Sequence, residues 1–256
     1  MCLIVFAFKH HSKYPFILAG NRDEFYARDA RQAHFWDTDP EMLAGKDLRA
    51  GGTWLGVSKK GEYGAITNYR DFNNPKEGER SRGEIIPNLL TDESSPEVKL
   101  RELMQESHHY SGFNLLTGDS KHLFYSNNIN GDREEVEPGI HGLSNAFLDT
   151  SWPKVETAKK EFTRAISSDE IDRDLIFGFL QNSETYPQGS LPNTGLDPDM
   201  EKAVSSIFIE TDGYGTRCST LLMIDNSGTV HFIEKTYPVS AERAELIKEY
   251  TFDTLS

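Results

Sequence analysis

The second residue of the chain is a cysteine, and its position gives it two chemical groups at once. If the initiator methionine is removed, Cys2 carries a thiol and a free α-amine on the same residue. An α-amine has an ordinary pKa of about 7.7–8.0, so a useful fraction is neutral near pH 7 and can accept a proton. Because the thiolate is the reactive form of cysteine, this one residue could supply both nucleophile and base. The structural alternative is a small buried cysteine at the start of a strand.

A polar stretch follows the second apolar segment of the chain and consists of Asn21, Arg22, Asp23 and Glu24. The segments CLIVFAF (2–8) and PFILAG (15–20) are rich in β-branched and aromatic residues, which predicts two strands joined by the polar turn KHHSKY. In such a hairpin, the start of the first strand lies near the end of the second. Arg22 could then lower the pKa of the thiol, and Asp23 could hold or orient the amine. A salt-bridged loop is the alternative.

The remaining pattern predicts further strands and helices in the order strands, helices, strands. A second hairpin is predicted within 49–71, with Gly61 at its turn, and a third within 113–128. Other predicted strands are 141–147, 205–210, 216–225 and 229–237; predicted helices are 83–92, 95–109, 151–167, 171–183 and 240–250, and 184–199 is a predicted loop. This order excludes a regular βαβ array and favours antiparallel sheets with packed helices in one domain, 1–256.

Composition excludes several classes of function. The net charge is −14, with 41 Asp and Glu against 27 Lys and Arg, which argues against binding to nucleic acid or anionic membranes. Two cysteines make no disulfide framework. The first twenty residues lack the features of a signal peptide, and no apolar run is long enough to span a membrane. We therefore expect a cytoplasmic protein.

Competing catalytic motifs are weak. No HExxH or CxxC occurs, so a metal site has no support in the sequence. HGLSNA (141–146) is close to a G-x-S-x-G nucleophile elbow, but Ala146 replaces the second glycine and no helix follows at once.

Several segments resemble a known family. MCLIVF, LAGNRDEFYARDA and WLGVSKKGEYGAITNYRD resemble the NRDE family, also called the transport-and-Golgi-organisation-2 family. The resemblance continues through GEIIPNLL, YSGFNLL, GLSNAFLDTSWPKV and YGTRCSTLLMID, so it covers essentially the whole chain. That family is distantly similar to the cysteine-type N-terminal-nucleophile (Ntn) hydrolases of the choloylglycine hydrolase and penicillin V acylase branch. The resemblance implies an α+β fold, a four-layer αββα sandwich of two antiparallel sheets flanked by helices.

The resemblance also implies roles for individual residues. Cys2 would be the nucleophile, supported by Arg22 and Asp23; because the acylase pattern places Arg and Asp further apart, Asp23 and Glu24 are interchangeable candidates. Asn68 and Asn145 would provide oxyanion or orienting groups, and Arg217 would match a late active-site arginine. The residues expected to contact substrate are Asn21, Glu24 and Trp54.

These features predict an amidohydrolase that attacks a small amide and forms an acyl-thioester at Cys2, without a cofactor or metal. The alternative is a carrier on the same fold. Some family members are linked to haem mobilisation and to lipid or acyl-CoA handling, so haem or an acyl lipid is the expected ligand in that case. Neither hypothesis involves nucleic acid or a membrane span.

Overall fold

Two antiparallel sheets packed face to face form the centre of the molecule. The structure is a computed structural model that describes residues 2–238 and 245–255. The first sheet consists, in spatial order, of Gly139–Leu143 (β10), Cys2–Phe8 (β1), Phe16–Phe25 (β2), Tyr214–Ile224 (β11), Thr229–Thr236 (β12) and Leu246–Asp253 (β13). The second consists of Ala30–Trp36 (β3), Asp39–Asp47 (β4), Leu55–Ser58 (β5), Tyr63–Asn68 (β6), Phe113–Gly118 (β7), Leu123–Asn127 (β8) and Arg133–Glu135 (β9).

The continuous apolar runs of β1 and β2 reflect burial on both faces of the first sheet. Side chains alternate along a strand, so Ile4 and Phe6 pack towards the second sheet, whereas Leu3 and Val5 pack towards helices. All seven residues of β1 are buried. A strand covered on both sides cannot show the apolar–polar alternation of a half-exposed strand.

Helices cover the outer face of each sheet. They are Ile85–Thr91 (α1), Pro96–Glu106 (α2), Pro153–Ala165 (α3), Arg173–Leu180 (α4) and Pro198–Ala203 (α5). Phe162 of α3 and Ile176 of α4 pack on the first sheet, whereas Ile86 and Leu90 of α1 lie against Gly56 of the second sheet. The layers are therefore helix, sheet, sheet and helix, which confirms the predicted αββα sandwich.

The three predicted hairpins are confirmed. β1 pairs with β2, β5 with β6 and β7 with β8, all antiparallel. Gly61 has φ of +80°, as its predicted place in the turn requires. The polar stretch 21–24, predicted to follow the second strand, is instead part of it, because β2 continues to Phe25 and pairs with β11 throughout.

Other predictions are wrong. The segment 205–210 is not a strand: Ile207 packs into the helix-side core, and only Glu210 forms an isolated bridge, with Gly215. The apolar residues of this segment are buried but do not pair with a neighbouring strand. A short apolar run in the sequence does not distinguish these two cases. The predicted loop 184–199 contains a short 3-10 turn and the start of α5. The hairpin of β3 and β4 was not predicted.

The predicted C-terminal helix, 240–250, is corrected in part. Residues 240–244 lie outside the described residues, and Leu246–Asp253 is an edge strand paired with β12. Tyr250 and Phe252 make edge-to-face contacts with Phe35 of the second sheet. This tertiary contact overrides the helical periodicity of the sequence.

Within the described ranges, none of the helices combines the length and the apolar character needed to cross a bilayer.

Candidate functional site

Strand register places four residues in one row across the first sheet. Cys2 lies opposite Arg22, Arg22 opposite Cys218, and Cys218 opposite Thr236. Residues in register point to the same face of a sheet, so Arg22 lies between two cysteines. The α-carbons of Cys2 and Cys218 are two strand spacings, roughly 10 Å, apart. That separation is too long for a disulfide, and both thiols are free.

This row opens onto a cleft of about 260 Å³ between the two sheets. Seven of the nine residues predicted for the site line the cleft: Cys2, Arg22, Asp23, Glu24, Trp54, Asn68 and Arg217. The two others, Asn21 and Asn145, do not. The fold therefore gathers residues from β1, β2, β6 and β11 around one opening.

The Cys2 side chain is largely enclosed at the inner end of the cleft. The residue is 7% exposed. Burial raises the pKa of the Cys2 thiol, and the charge of Arg22 together with a hydrogen bond from the Asp23 backbone amide acts in the opposite direction. The Cys2 carbonyl accepts a hydrogen bond of 3.0 Å from Ser144 Oγ. Burial therefore favours the protonated form of the thiol.

Arg22 is held by carboxylates on one side only. Its Nη2 lies 3.2 Å from Asp47 Oδ2, which also accepts a hydrogen bond of 2.6 Å from Arg28 Nε. Burial alone would raise the pKa of Asp47, but the hydrogen bond from Arg28 holds that pKa below its ordinary value. Within the part of the chain that the structure describes, Nη1 of Arg22 is buried without a hydrogen-bond partner.

The two acidic candidates occupy different environments. Asp23 is 3% exposed, and its Oδ1 accepts a hydrogen bond of 2.7 Å from Thr216 Oγ1. Burial raises the pKa of Asp23, and the charge of buried Lys154 opposes that shift. Glu24 is half-buried and lies 3.8 Å from Arg22 and 3.7 Å from Arg28. Asp23 therefore shares the enclosed surroundings of Cys2, whereas Glu24 belongs to the arginine–carboxylate cluster of the cleft.

The two predicted oxyanion residues also separate. Asn68 is exposed at the end of β6 and lines the cleft. Asn145 is completely buried, and its Nδ2 donates a hydrogen bond of 2.9 Å to the Asn68 carbonyl. Asn68 is thus placed to contact a ligand, and Asn145 is placed to hold Asn68.

Asn21 and Trp54 were both predicted to contact substrate. Asn21 is completely buried and donates hydrogen bonds to the carbonyls of Leu180 (2.8 Å) and Ile207 (2.9 Å), on the helix side of the sheet. Trp54 is 9% exposed and lies at the wall of the cleft. Of these two residues, only Trp54 can touch a molecule in the cleft.

Arg217 occupies a bulge in β11. The register shifts between Thr216 and Cys218, and bulges re-aim side chains. Nη1 of Arg217 donates to the carbonyls of Phe25 (3.1 Å) and Arg28 (3.0 Å), which fixes the connection from β2 to β3. Burial lowers the pKa of Arg217.

The cleft residues that were not predicted include Cys218, Glu234 and Arg82. Glu234 is 3% exposed and accepts a hydrogen bond of 2.8 Å from the Ala33 amide, and burial raises its pKa. Cys218 lies within the predicted strand 216–225, but only its pairing opposite Arg22 of β2 brings it to the cleft. Arg82 begins a 3-10 turn, Arg82–Glu84, directly before α1, and no sequence pattern connects it with the cleft. Over residues 2–238 and 245–255, no three His, Cys, Asp or Glu side chains could hold a metal ion.

Comparison with known proteins identifies the family. A model of the family described as Transport and Golgi organisation 2 matches residues 1–238. The chain belongs to the Transport and Golgi organisation 2 family. It is 34% identical to the mouse Transport and Golgi organization 2 homolog and 35% identical to the Bos taurus Transport and Golgi organization protein 2 homolog, with 92% of each chain covered in both alignments.

Among solved structures, this family member is similar to the Caenorhabditis elegans N-acylethanolamine-hydrolyzing acid amidase ortholog. The TM-score is 0.48 and the sequence identity 10%, with 86% of this chain and 92% of that chain covered.

Proposed function

We propose that the protein is a cysteine Ntn amidohydrolase that cleaves a small amide through an acyl-thioester at Cys2. The observation that carries this proposal is the row of Cys2 and Arg22 at the inner end of a cleft that Asn68 also lines. The proposal requires removal of Met1, a residue outside the described range.

The chemistry uses groups of the chain alone. The neutral α-amine of Cys2 takes the thiol proton, and the sulfur bonds to the carbonyl carbon while that carbonyl's electron pair moves to oxygen. When the tetrahedral intermediate collapses, the C–N bond breaks and the leaving amine takes the proton back from the ammonium. Water then attacks the thioester, which releases a carboxylic acid and restores the thiol.

The surroundings of Cys2 suit this mechanism. Because burial raises the pKa of the thiol, little thiolate forms by loss of the proton to water. A base on the same residue can take that proton directly. The Asn68 side-chain amide is a suitable donor for the developing oxyanion, and one such donor contributes about 3 kcal/mol in other hydrolases.

The experiment is acylation followed by peptide mapping. Purified protein is incubated with p-nitrophenyl valerate, a small activated acyl donor, and the adduct is located by mass spectrometry. We expect a valeryl group on Cys2 that is absent from Cys2→Ala and retained in Cys218→Ala. Acylation of Cys218 with Cys2 unmodified would contradict the proposal.

A second candidate is a carrier for haem or an acyl lipid. The favouring observation is that Cys2 is 7% exposed and that burial raises the pKa of its thiol, as expected for an unreactive core cysteine. Titration with hemin or an acyl-CoA distinguishes the two. Micromolar binding that Cys2→Ala leaves unchanged, with no acylation, supports the carrier. The volume of about 260 Å³ lies below the usual range for drug-sized ligands, which favours the smaller substrate of the hydrolase proposal.

A further inference from the structure

The charge of the cleft is opposite to that of the whole chain. The net charge of the protein is −14. Among the described residues that line the cleft, seven are Lys or Arg and four are Asp or Glu. A local excess of cations inside a low-dielectric opening attracts anions, even when the rest of the surface repels them.

Several of these cations lack a carboxylate partner. Arg22 and Arg28 share Asp47, and Arg80 pairs with Glu84. No described carboxylate lies within ion-pair distance of the other four, which are Arg31, Lys46, Arg82 and Arg217. The positive charge of the cleft is therefore not neutralised by neighbouring described residues.

Arg82 is the best placed of the four. Its guanidinium is half-buried, and its one hydrogen bond within the described residues runs 2.8 Å from Nη1 to the Gly112 carbonyl. Burial lowers the pKa of Arg82. Arg82 and Cys2 line the same cleft.

The backbone around Arg82 is rigidly held. Gly83 accepts a hydrogen bond of 2.9 Å from the Thr53 amide. A Cβ on Gly52 would lie 2.2 Å from the Gly83 carbonyl oxygen, so only glycine allows this contact. Arg82 is thus presented to the cleft by two packed backbone segments.

Arg31 and Lys46 also line the cleft, and they lie directly opposite each other in the pairing of β3 and β4. Nζ of Lys46 lies 4.3 Å from the centre of the Trp36 ring, which limits where its charge can move. A planar guanidinium with an ammonium nearby is suited to a carboxylate or a phosphate oxygen.

We infer that the cleft selects a small substrate that carries a carboxylate or phosphate group, and that Arg82 binds this group with further attraction from Arg31 and Lys46. The inference deepens the proposed function and rests on the same cleft, but ligand binding can be measured without catalysis.

The test uses the full-length Cys2→Ala protein, so that hydrolysis plays no part. Calorimetry compares glutarate and phenyl phosphate with the neutral analogues glutaramide and phenol. We expect at least one anion to bind about tenfold or more tightly than its neutral analogue, and the stronger of the two identifies the class of anion. Equal binding of anions and neutral analogues, or no binding of either anion, overturns the inference.

Variants assign the effect to Arg82. Arg82→Gln is expected to weaken anion binding about tenfold or more, because a hydrogen bond to a charged group is lost, and Arg82→Lys should restore part of it. Arg101→Gln on the exposed face of α2 removes the same charge outside the cleft and should change binding less than about twofold. An equal effect of Arg82→Gln and Arg101→Gln would overturn the assignment.

Two further measurements separate anion binding from a folding defect and from hydrolysis. Arg31→Gln changes an exposed side chain and should weaken anion binding about two- to fivefold even if Arg82→Gln fails to fold. Turnover of glutaryl p-nitroanilide against valeryl p-nitroanilide by the protein with Cys2 intact then tests hydrolysis separately. Anion binding without turnover of either compound would uphold the anion site and reject the amidohydrolase.

Discussion

The two faces of β2 differ sharply at the end where the polar stretch lies. Asn21 and Asp23 are buried on one face of the strand and Arg22 and Glu24 lie on the other, facing the cleft; of the first two, only Asp23 also borders the cleft. Four consecutive polar residues, which in the sequence look like one functional unit, are thus divided by strand alternation into two groups.

On the helix side, polar groups are satisfied by other buried groups. Ser219 Oγ donates a hydrogen bond of 2.6 Å to Asn21 Oδ1. Near the start of α3, Arg70 and Glu201 form a buried ion pair of 2.5 Å, and Lys154 donates to the Val204 carbonyl at 3.2 Å. Such an arrangement positions backbone and strands, and it leaves little for a ligand to bind.

On the cleft side, donors outnumber the acceptors available to them. Nη1 of Arg22 and Nε of Arg217 are buried without a hydrogen-bond partner within the described residues. Substitutions on the helix side should therefore mainly lower the free energy of unfolding, whereas substitutions on the cleft side should mainly change binding and reaction.

The largest expected effect on stability comes from breaking the buried ion pair. Glu201→Ala leaves the Arg70 guanidinium buried without this partner, so the free energy of unfolding should fall by about 3–5 kcal/mol. Urea denaturation provides the measurement. Glu249→Ala, in an exposed pair with Arg173 at 3.9 Å, is the control and should change stability by less than about 1 kcal/mol. Equal effects of the two substitutions would erase the distinction between buried and exposed pairs.

Lys154 should give the helix side a characteristic pH dependence. Burial lowers its pKa to about 8, below the ordinary 10.5. Between these values the unfolded chain holds a proton that the folded chain has lost, so this group makes stability rise as pH increases from about 8 to 10. The contribution is of the order of 1–3 kcal/mol. Comparing the unfolding of wild type and Lys154→Met at several pH values isolates it; a pH-independent difference would count against it.

Asn21→Ala should lower the free energy of unfolding by about 1–3 kcal/mol, because the carbonyls of Leu180 and Ile207 lose their donor while buried. The matched control is Asn226→Ala at an exposed turn, where Nδ2 donates to the Ser12 carbonyl at 2.8 Å. Its expected cost is below about 1 kcal/mol by thermal unfolding. If Asn21→Ala instead left stability intact and abolished acylation, Asn21 would belong with the cleft residues.

Arg22→Gln should have the smallest effect on stability, within about 1 kcal/mol, because Asp47 retains its hydrogen bond of 2.6 Å from Arg28. Its rate of acylation at Cys2 should nevertheless fall, since the positive charge that lowers the pKa of the thiol is removed. Stability and acylation are measured on the same preparation. A loss of stability comparable to that of Asn21→Ala, with acylation unchanged, would reverse the comparison between the two faces.

Much of this arrangement could be predicted from the sequence because it follows from local patterns. The apolar runs of β1 and β2 predict a hairpin, and the hairpin brings Cys2 to Arg22. The pattern could not show that Asn145 is buried behind Asn68, because both asparagines follow strand-like segments and differ only in tertiary surroundings.

Other features depend on contacts distant in the chain. Arg82 reaches the cleft only because Gly52 and Gly83 pack backbone to backbone, which no periodicity records. Leu246–Asp253 has helical spacing of its apolar residues but forms a strand, because β12 offers an open edge for pairing. Such outcomes are decided by the assembled fold and not by local propensity.

The central claim is that the terminal residue of the mature chain is nucleophile and base together. It is tested most directly by comparing protein that begins at Cys2 with protein that carries one extra glycine before Cys2, both verified by intact mass. Loss of the free α-amine on Cys2 should lower the rate of acylation by p-nitrophenyl valerate by about 100-fold or more. Equal rates for the two proteins would contradict the claim.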